Sequence, residues 1–271
     1  MPVLHAMARL TLIAICAAFM VVPVQADSAR ERPEPGAGKA TPFSHSNGAD
    51  GYLDHRRVLA QEVAGQLKAL LRSRDIGPLD PRIPTAMQRL PRHAFVPEPL
   101  VPYAYLNRPL PVGHGQTVSQ PFIVALMTQL ADIRPGTRVL LVGVGDGYHA
   151  ALLAELGANV HCVELYEPVA RTALKRLHQL GYGETAMRVG DGYYGWRDAA
   201  PYDAVIVRQA VHHIPPPLLR QLKRGGRLVM PVGPPDLGQD LVLATKDAAG
   251  TVNERKVLPV RFTTLPGGSR I

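Results

Sequence analysis

The sequence predicts a doubly wound parallel α/β fold, on three observations. From Thr137 onward, short apolar runs alternate with segments of helical pattern, as a sheet buried on both faces requires. A glycine turn, Gly143-Val-Gly145-Asp146-Gly147, joins the first of these runs to a helix. The next run ends on an acidic residue, Glu164, at the spacing where ribose hydroxyls are met in such sheets.

Taken in order, residues 1–26 read as an export signal. Arg9 precedes an apolar stretch, Leu10 to Val22, that is too short for a comfortable membrane span, and Ala26 offers a small residue for cleavage before Asp27. The alternatives are an uncleaved anchor, or a start at Met20 or later giving a cytoplasmic protein. Ile15 ahead of Cys16 argues against lipoprotein processing. Residues 27–50, rich in Pro, Gly, Ser and charge without apolar period, read as a flexible linker. Residues 51–271 are expected to form the folded domain.

Within it, Leu59, Val63, Leu67, Leu70 and Leu71 recur at helical spacing until Gly77-Pro78 stops them. Pro81 to Gln120 is Pro-punctuated and is expected to wrap over a core formed later. Val139–Val142, Val160–Val163, Ala186–Val189, Ala204–Val207 and Arg227–Pro231 are strand candidates. Helices are expected at Tyr148–Leu156, Glu167–Leu180 and Pro217–Leu222. Leu241–Thr245 and Val252–Phe262 suggest a terminal antiparallel pair around Ala249-Gly250.

The formal net charge of +8 comes from scattered Lys and Arg, with no basic run interleaved with aromatics, so no nucleic-acid partner is expected. Of the two cysteines, Cys162 alone survives signal removal, which excludes an internal disulfide in the mature chain. It reads as a small buried hydrophobe. His212-His213 are adjacent and lack a matching carboxylate pattern, so no metal is expected.

Gly143, Gly145 and Gly147 let a ligand approach the backbone and the following helix N-terminus. The dinucleotide pattern G-x-G-x-x-G would place its third glycine one residue later than Gly147, so a nucleoside without pyrophosphate fits better. The turn alone is also compatible with a purely structural role. Asp191 and Gly192, in Gly190-Asp-Gly after the third run, add a carboxylate at the adenine edge.

Five segments then point to a family. Pro91-Arg-His-Ala-Phe-Val-Pro97, Pro109 to Pro121 with its Gln116-Thr-Val-Ser-Gln-Pro core, the glycine turn, Gly190 to Trp196, and Gly225 to Gly233 resemble protein-L-isoaspartate O-methyltransferases in order and spacing. The resemblance runs from roughly Val58 to Leu265. It implies a Rossmann-like, seven-stranded methyltransferase sheet with an N-terminal helical cap. It also implies methyl transfer from S-adenosylmethionine to the carboxylate of isoaspartyl residues in proteins or peptides. Ser119 resembles the active-site serine that holds the substrate carboxylate, with Thr117 and Gln120 lining the same pocket. Gly143, Gly145, Asp146, Gly147, Glu164, Asp191 and Gly192 would bind the cofactor, and Gln239 is a further cofactor-side candidate. A helix cap is a second role open to Ser119.

The sequence departs from the family pattern in three places. Leu141 stands where the family usually has an acid, and Asp146 where a small hydroxyl residue is common. Arg208-Gln-Ala-Val-His-His213 replaces a Thr-Ala-Ala-type stretch. Arg208 could pair with a carboxylate, or face solvent or a structural acid. The export signal sets the chain apart from the cytosolic source of the cofactor. After cleavage, a periplasmic or secreted chain with no stable membrane insertion is expected. Two alternatives follow. One is an exported methyltransferase-fold protein that binds a peptide or small ligand without catalysis, and the other a methyltransferase for another carboxylate.

Overall fold

The computed structural model describes residues 51–113, 116–234 and 238–265. The expected signal (1–26) and linker (27–50) lie outside the described residues. The described chain runs α1 (Leu53–Arg74), α2 (Arg82–Arg89), β1 (Leu110–Gly113), β2 (Gln116–Val118), α3 (Pro121–Ala131), β3 (Arg138–Val142), α4 (Tyr148–Glu155), β4 (Asn159–Glu164), α5 (Glu167–Gln179), β5 (Ala186–Val189), β6 (Tyr202–Val207), α6 (Pro216–Gln221), β7 (Leu222–Val232), β8 (Gln239–Lys246) and β9 (Val252–Val260).

Seven strands form one sheet in the order β5-β4-β3-β6-β7-β8-β9. The first five are mutually parallel, while β8 runs antiparallel to both β7 and β9. The order reverses beside β3, so the crevice of a doubly wound sheet opens at the carboxyl ends of β3, β4 and β6.

Strand alternation divides the core in two. Val139, Leu141, Cys162, Ala204, Ile206 and Val229 face one side. Leu140, Val142, Val163, Val205, Val207, Leu228 and Met230 face the other. All thirteen are buried, which is why these runs read as continuously apolar. Cys162 behaves as a small hydrophobe, its thiol pushed up to about 12 by burial.

The N-terminal cap is α1 packed on α2 and α3, with α3 also lying against β6 and β7. Leu59, Val63, Leu67 and Leu71 form the buried stripe of α1 at four-residue intervals. The helix ends at Arg74, before Gly77-Pro78, because Asp75 turns left-handed (φ 51°) and donates to the carbonyls of Leu71 and Arg72. Asp is one of the few residues that accept this conformation cheaply. The segment expected only to wrap the core contains more order than its prolines suggest. It holds α2, two short 3-10 turns and the β1-β2 hairpin. Pro121 begins α3 at its first turn, where a missing N–H costs nothing.

Candidate active site

Four segments meet at the carboxyl ends of the parallel strands: Gly143–Gly147 after β3, Tyr166 after β4, Gly190–Gly192 after β5 and Arg208 after β6. Gly143, Gly145 and Gly147 adopt φ of 79°, 53° and 94°, the left-handed region that favours glycine. A Cβ on Gly145 would stand 3.0 Å from Arg208 Nη1. Glu164 is buried, and its carboxylate accepts from the backbone N–H of Gly145 (3.3 Å) and Tyr166 (3.2 Å). It ties the glycine turn to the end of β4.

Asp146 does two things at once. One oxygen accepts from the N–H of Tyr148 (2.7 Å), ordering the start of α4. The other pairs with Arg208 Nη2 at 3.3 Å, with the two side chains only 3% and 7% exposed. Arg176 Nη1 holds the Asp146 carbonyl (2.8 Å) from α5. Arg208 also donates to the carbonyls of Gly143 (3.0 Å) and Val144 (2.5 Å) and to Ser119 Oγ (3.1 Å). Of the readings open to Arg208, the structure shows the structural acid and not solvent. The partner acid is Asp146.

Ser119 lies one residue before the N-cap of α3, which is Gln120 with no side-chain cap. The helix-cap role is therefore not adopted. Its hydroxyl meets Arg208, while its carbonyl accepts from Arg92 Nη2 (2.8 Å). Arg92 is fully buried, its Nε donates to the Ala104 carbonyl (2.9 Å), and its guanidinium lies 4.7 Å over the Tyr148 ring. Burial pulls the Arg92 guanidinium below its ordinary value, opposed by Tyr148 and Asp146.

The other expected site residues divide. Asp191 caps the turn at Gly192–Tyr194 by accepting from the Tyr193 N–H (2.9 Å). Gly192 is required by packing, since a Cβ there would stand 2.3 Å from Val142 Cγ1. Thr117 is exposed on β2, opposite Pro111. Gln120 donates to the Asn107 carbonyl (3.0 Å), binding α3 to the preceding loop. Gln239 is not brought to this cluster: its amide donates to the Phe262 carbonyl (3.1 Å) and accepts from the Phe262 N–H (2.6 Å). That exchange fastens the start of β8 to the segment after β9. Leu141 is buried in the sheet core and offers no polar atom to the crevice.

Arg92, Asn107 and Arg176 are the site-supporting residues that sequence reasoning did not assign. Arg92 stood inside a motif, and a charged residue between Pro91 and the apolar Ala94-Phe95 was its only signal. Asn107 accepts from the Phe122 N–H (3.0 Å) and donates to Glu62 and Gln66 of α1 (3.1 and 3.0 Å). Neither it nor Arg176 carries a local pattern, because their partners lie far away in the chain.

A glycine turn, buried carboxylates and a serine hydroxyl beside a guanidinium line the carboxyl ends of the strands, groups suited to a nucleoside and an anionic acceptor. Comparison with known proteins agrees. The family model for protein-L-isoaspartate(D-aspartate) O-methyltransferase matches residues 66–270. Protein-L-isoaspartate O-methyltransferase 1 of Cupriavidus necator is 49% identical over 228 residues, covering 84% of this chain and 88% of that protein. Protein-L-isoaspartate O-methyltransferase 2 of Polaromonas sp. is 54% identical over 189 residues, covering 70% and 90%. A solved protein-L-isoaspartate O-methyltransferase structure, 28% identical, superposes with a TM-score of 0.67 over 79% of this chain and 66% of that one. A Plasmodium falciparum protein solved with S-adenosyl-L-homocysteine supports the fold alone, at 21% identity, a TM-score of 0.63, and coverage of 78% of this chain and 97% of that one. By the length and level of these matches, the chain belongs to the protein-L-isoaspartate(D-aspartate) O-methyltransferase family.

Proposed function

We propose that this chain methylates the carboxylate of isoaspartyl residues in damaged proteins and peptides, using S-adenosylmethionine. The observation that carries the reading is the Ser119 hydroxyl, held within a family-typical sequence beside the glycine turn that ends β3. The residues at this mouth fit the cofactor. Glu164 keeps lone pairs for ribose hydroxyls after accepting two backbone N–H groups. Asp191 would meet the adenine edge, with the exposed ring of Tyr194 (63%) three residues on and that of Tyr166 (48%) two residues past Glu164. Gly143 and Gly145 let the side chains of Gln209 and Arg208 close onto the turn, where an added Cβ would stand 2.7 and 3.0 Å from them. When bound, S-adenosylmethionine supplies a sulfonium methyl that a carboxylate oxygen takes in one displacement, the C–S electron pair staying on sulfur and no proton moving.

An isoaspartyl carboxylate is ionised near neutral pH, so the site needs no general base. Ser119 acts as a hydrogen-bond donor that fixes one carboxylate oxygen in line with the methyl. It is not a covalent nucleophile. Gln120 shapes the wall of the acceptor pocket through its hold on Asn107, and Thr117 lies on the exposed hairpin at its rim. Asp146 takes over balancing positive charge near the turn, where Leu141 contributes none.

The test compares an isoaspartyl peptide with its aspartyl twin, each given the purified chain and methyl-labelled cofactor. Base-labile label in the isoaspartyl peptide alone is expected. Equal labelling of both, or label in neither, defeats the reading. We also propose that the chain is exported and matures by cleavage after Ala26, on the strength of the apolar run Leu10–Val22. N-terminal sequencing of the protein recovered from separate cell fractions checks this. An Asp27 terminus outside the cytoplasm is expected, and a cytoplasmic chain starting at Met20 or later refutes it.

A further inference from the structure

Asp146 in the glycine turn and Arg208 after β6 meet in one buried ion pair. A guanidinium has five N–H donors and no acceptor. Four of those of Arg208 are committed: Nη1 to the Gly143 and Val144 carbonyls, and Nη2 to Asp146 Oδ2 and Ser119 Oγ. The fifth, Nε, is buried without a partner among the described residues. Because Arg208 can only donate, Ser119 Oγ is the acceptor in their contact. The hydroxyl proton is thereby turned away from Arg208 and left for another oxygen.

We propose that Arg208 is a positioning residue that sets Ser119 as a donor to the substrate, so that the pair selects an ionised carboxylate as methyl acceptor. The proposal rests on the reading of the preceding subsection. A serine rotor without such a neighbour can point its proton in any of three directions, and only some of them serve an incoming carboxylate. A charged donor at 3.1 Å removes the directions toward itself and strengthens the outward hydrogen bond by polarising the O–H. Asp146 has a separate part in this arrangement. Methyl transfer from a sulfonium to a carboxylate erases one positive and one negative charge, so an unbalanced guanidinium would hold the ionised acceptor more tightly than the transition state. The paired carboxylate offsets the charge of Arg208 while the directional effect on Ser119 remains. A buried Arg208 without Asp146, or the reverse, would leave an uncompensated charge.

The experiment measures initial rates with an isoaspartyl peptide, at cofactor concentrations saturating for each protein. The proteins are the unaltered full chain, Ser119→Ala, the double variant Arg208→Thr with Asp146→Ser, and the triple variant combining them. The double variant removes both charges and so avoids leaving one stranded. Arg208→Lys, which keeps a charge but loses the fork, serves as a second probe should the double variant fail to fold. No turnover by the unaltered chain would refute the parent reading and this proposal with it. Given turnover, the double variant is expected to raise the peptide KM at least tenfold, read at cofactor concentrations saturating for that variant. Adding Ser119→Ala to it should then slow the reaction less than twofold, against tenfold or more in the unaltered background. Arg208→Lys should show an intermediate KM. An unchanged peptide KM in the double variant and in Arg208→Lys overturns the proposal. So does a Ser119→Ala effect of full size in both backgrounds, because Arg208 would then not act through Ser119.

Discussion

At the scale of single residues, the site is a set of side chains whose hydrogen-bonding capacity is nearly spent before any ligand arrives. Ser119 keeps a proton to donate, as Glu164 keeps lone pairs to accept. Replacing it by Ala should lower turnover of an isoaspartyl peptide by about ten- to a thousandfold, in the range of losing one aligned donor, with little change in cofactor affinity. Steady-state kinetics and calorimetry together check this, and unimpaired turnover would reduce Ser119 to a structural residue. His149 makes a second residue-scale case. It is buried on α4, with Nε2 at 3.0 Å from Thr128 Oγ1, and Thr128 gives its own proton to the Val124 carbonyl (2.8 Å). Nε2 must therefore carry the hydrogen, leaving Nδ1 a buried acceptor without a partner among the described residues. Burial, with help from the charge of Arg208, holds its imidazole well below the ordinary value of 6.5. The unfolded chain takes up a proton below that pH and the folded chain does not, so folding stability falls as pH drops below 6.5. The slope from one such group approaches about 1.4 kcal/mol per pH unit. His93 and His161 are shifted in the same direction by burial, so only a difference isolates His149. Urea unfolding at pH 7.5 and 5.5 should show His149→Gln losing about 1 kcal/mol less than the unaltered chain on acidification. Equal losses would mean that His149 titrates normally in the fold.

At the scale of elements, the strands and the helices between them were legible because their signals are local. Buried parallel strands need continuous apolar runs, and positive φ values of about 80–95° favour glycine strongly. Thus β3 and β6 cover the expected runs Val139–Val142 and Ala204–Val207, and the closing hairpin forms around Ala249-Gly250. The cap was less legible. The β1-β2 hairpin and α2 lie in a Pro-punctuated stretch whose order comes from contacts such as Arg92 to the carbonyls of Ala104 and Ser119. Those contacts have no sequence period. Two substitutions test element-scale claims. Gly192→Ala, whose Cβ would press on Val142 at the end of β3, should cost about 1–3 kcal/mol in chemical unfolding through overpacking. A neutral result would mean that β3 or the turn shifts freely. Gln239→Ala should cost about 1–3 kcal/mol by leaving the Phe262 backbone groups unpaired, while S-adenosylhomocysteine binding stays unchanged. Weakened binding with unchanged stability would instead return Gln239 to the cofactor side.

At the scale of the whole molecule, the crevice is assembled from β3, β4, β5 and β6 together with the cap, so occupation should stabilise the folded domain as a unit. With S-adenosylhomocysteine at a hundred times its Kd, linkage predicts a gain of about 2.7 kcal/mol, or roughly 5–10 °C in Tm for a domain of this size. No shift in a well-folded sample would argue that the ion pair of Arg208 and Asp146 keeps the pocket closed. The sequence by itself determined the sheet, the position of the glycine turn and the family, because periodicity, glycine spacing and motif order are properties of neighbouring residues. Only the tertiary structure decided what Arg208 does. Its partners Ser119 and Asp146 lie 89 and 62 residues away, and a guanidinium is equally at home in solvent and in a buried pair. The fold brings one acid and one hydroxyl within reach of it, and that choice of neighbours carries no local signature in the chain.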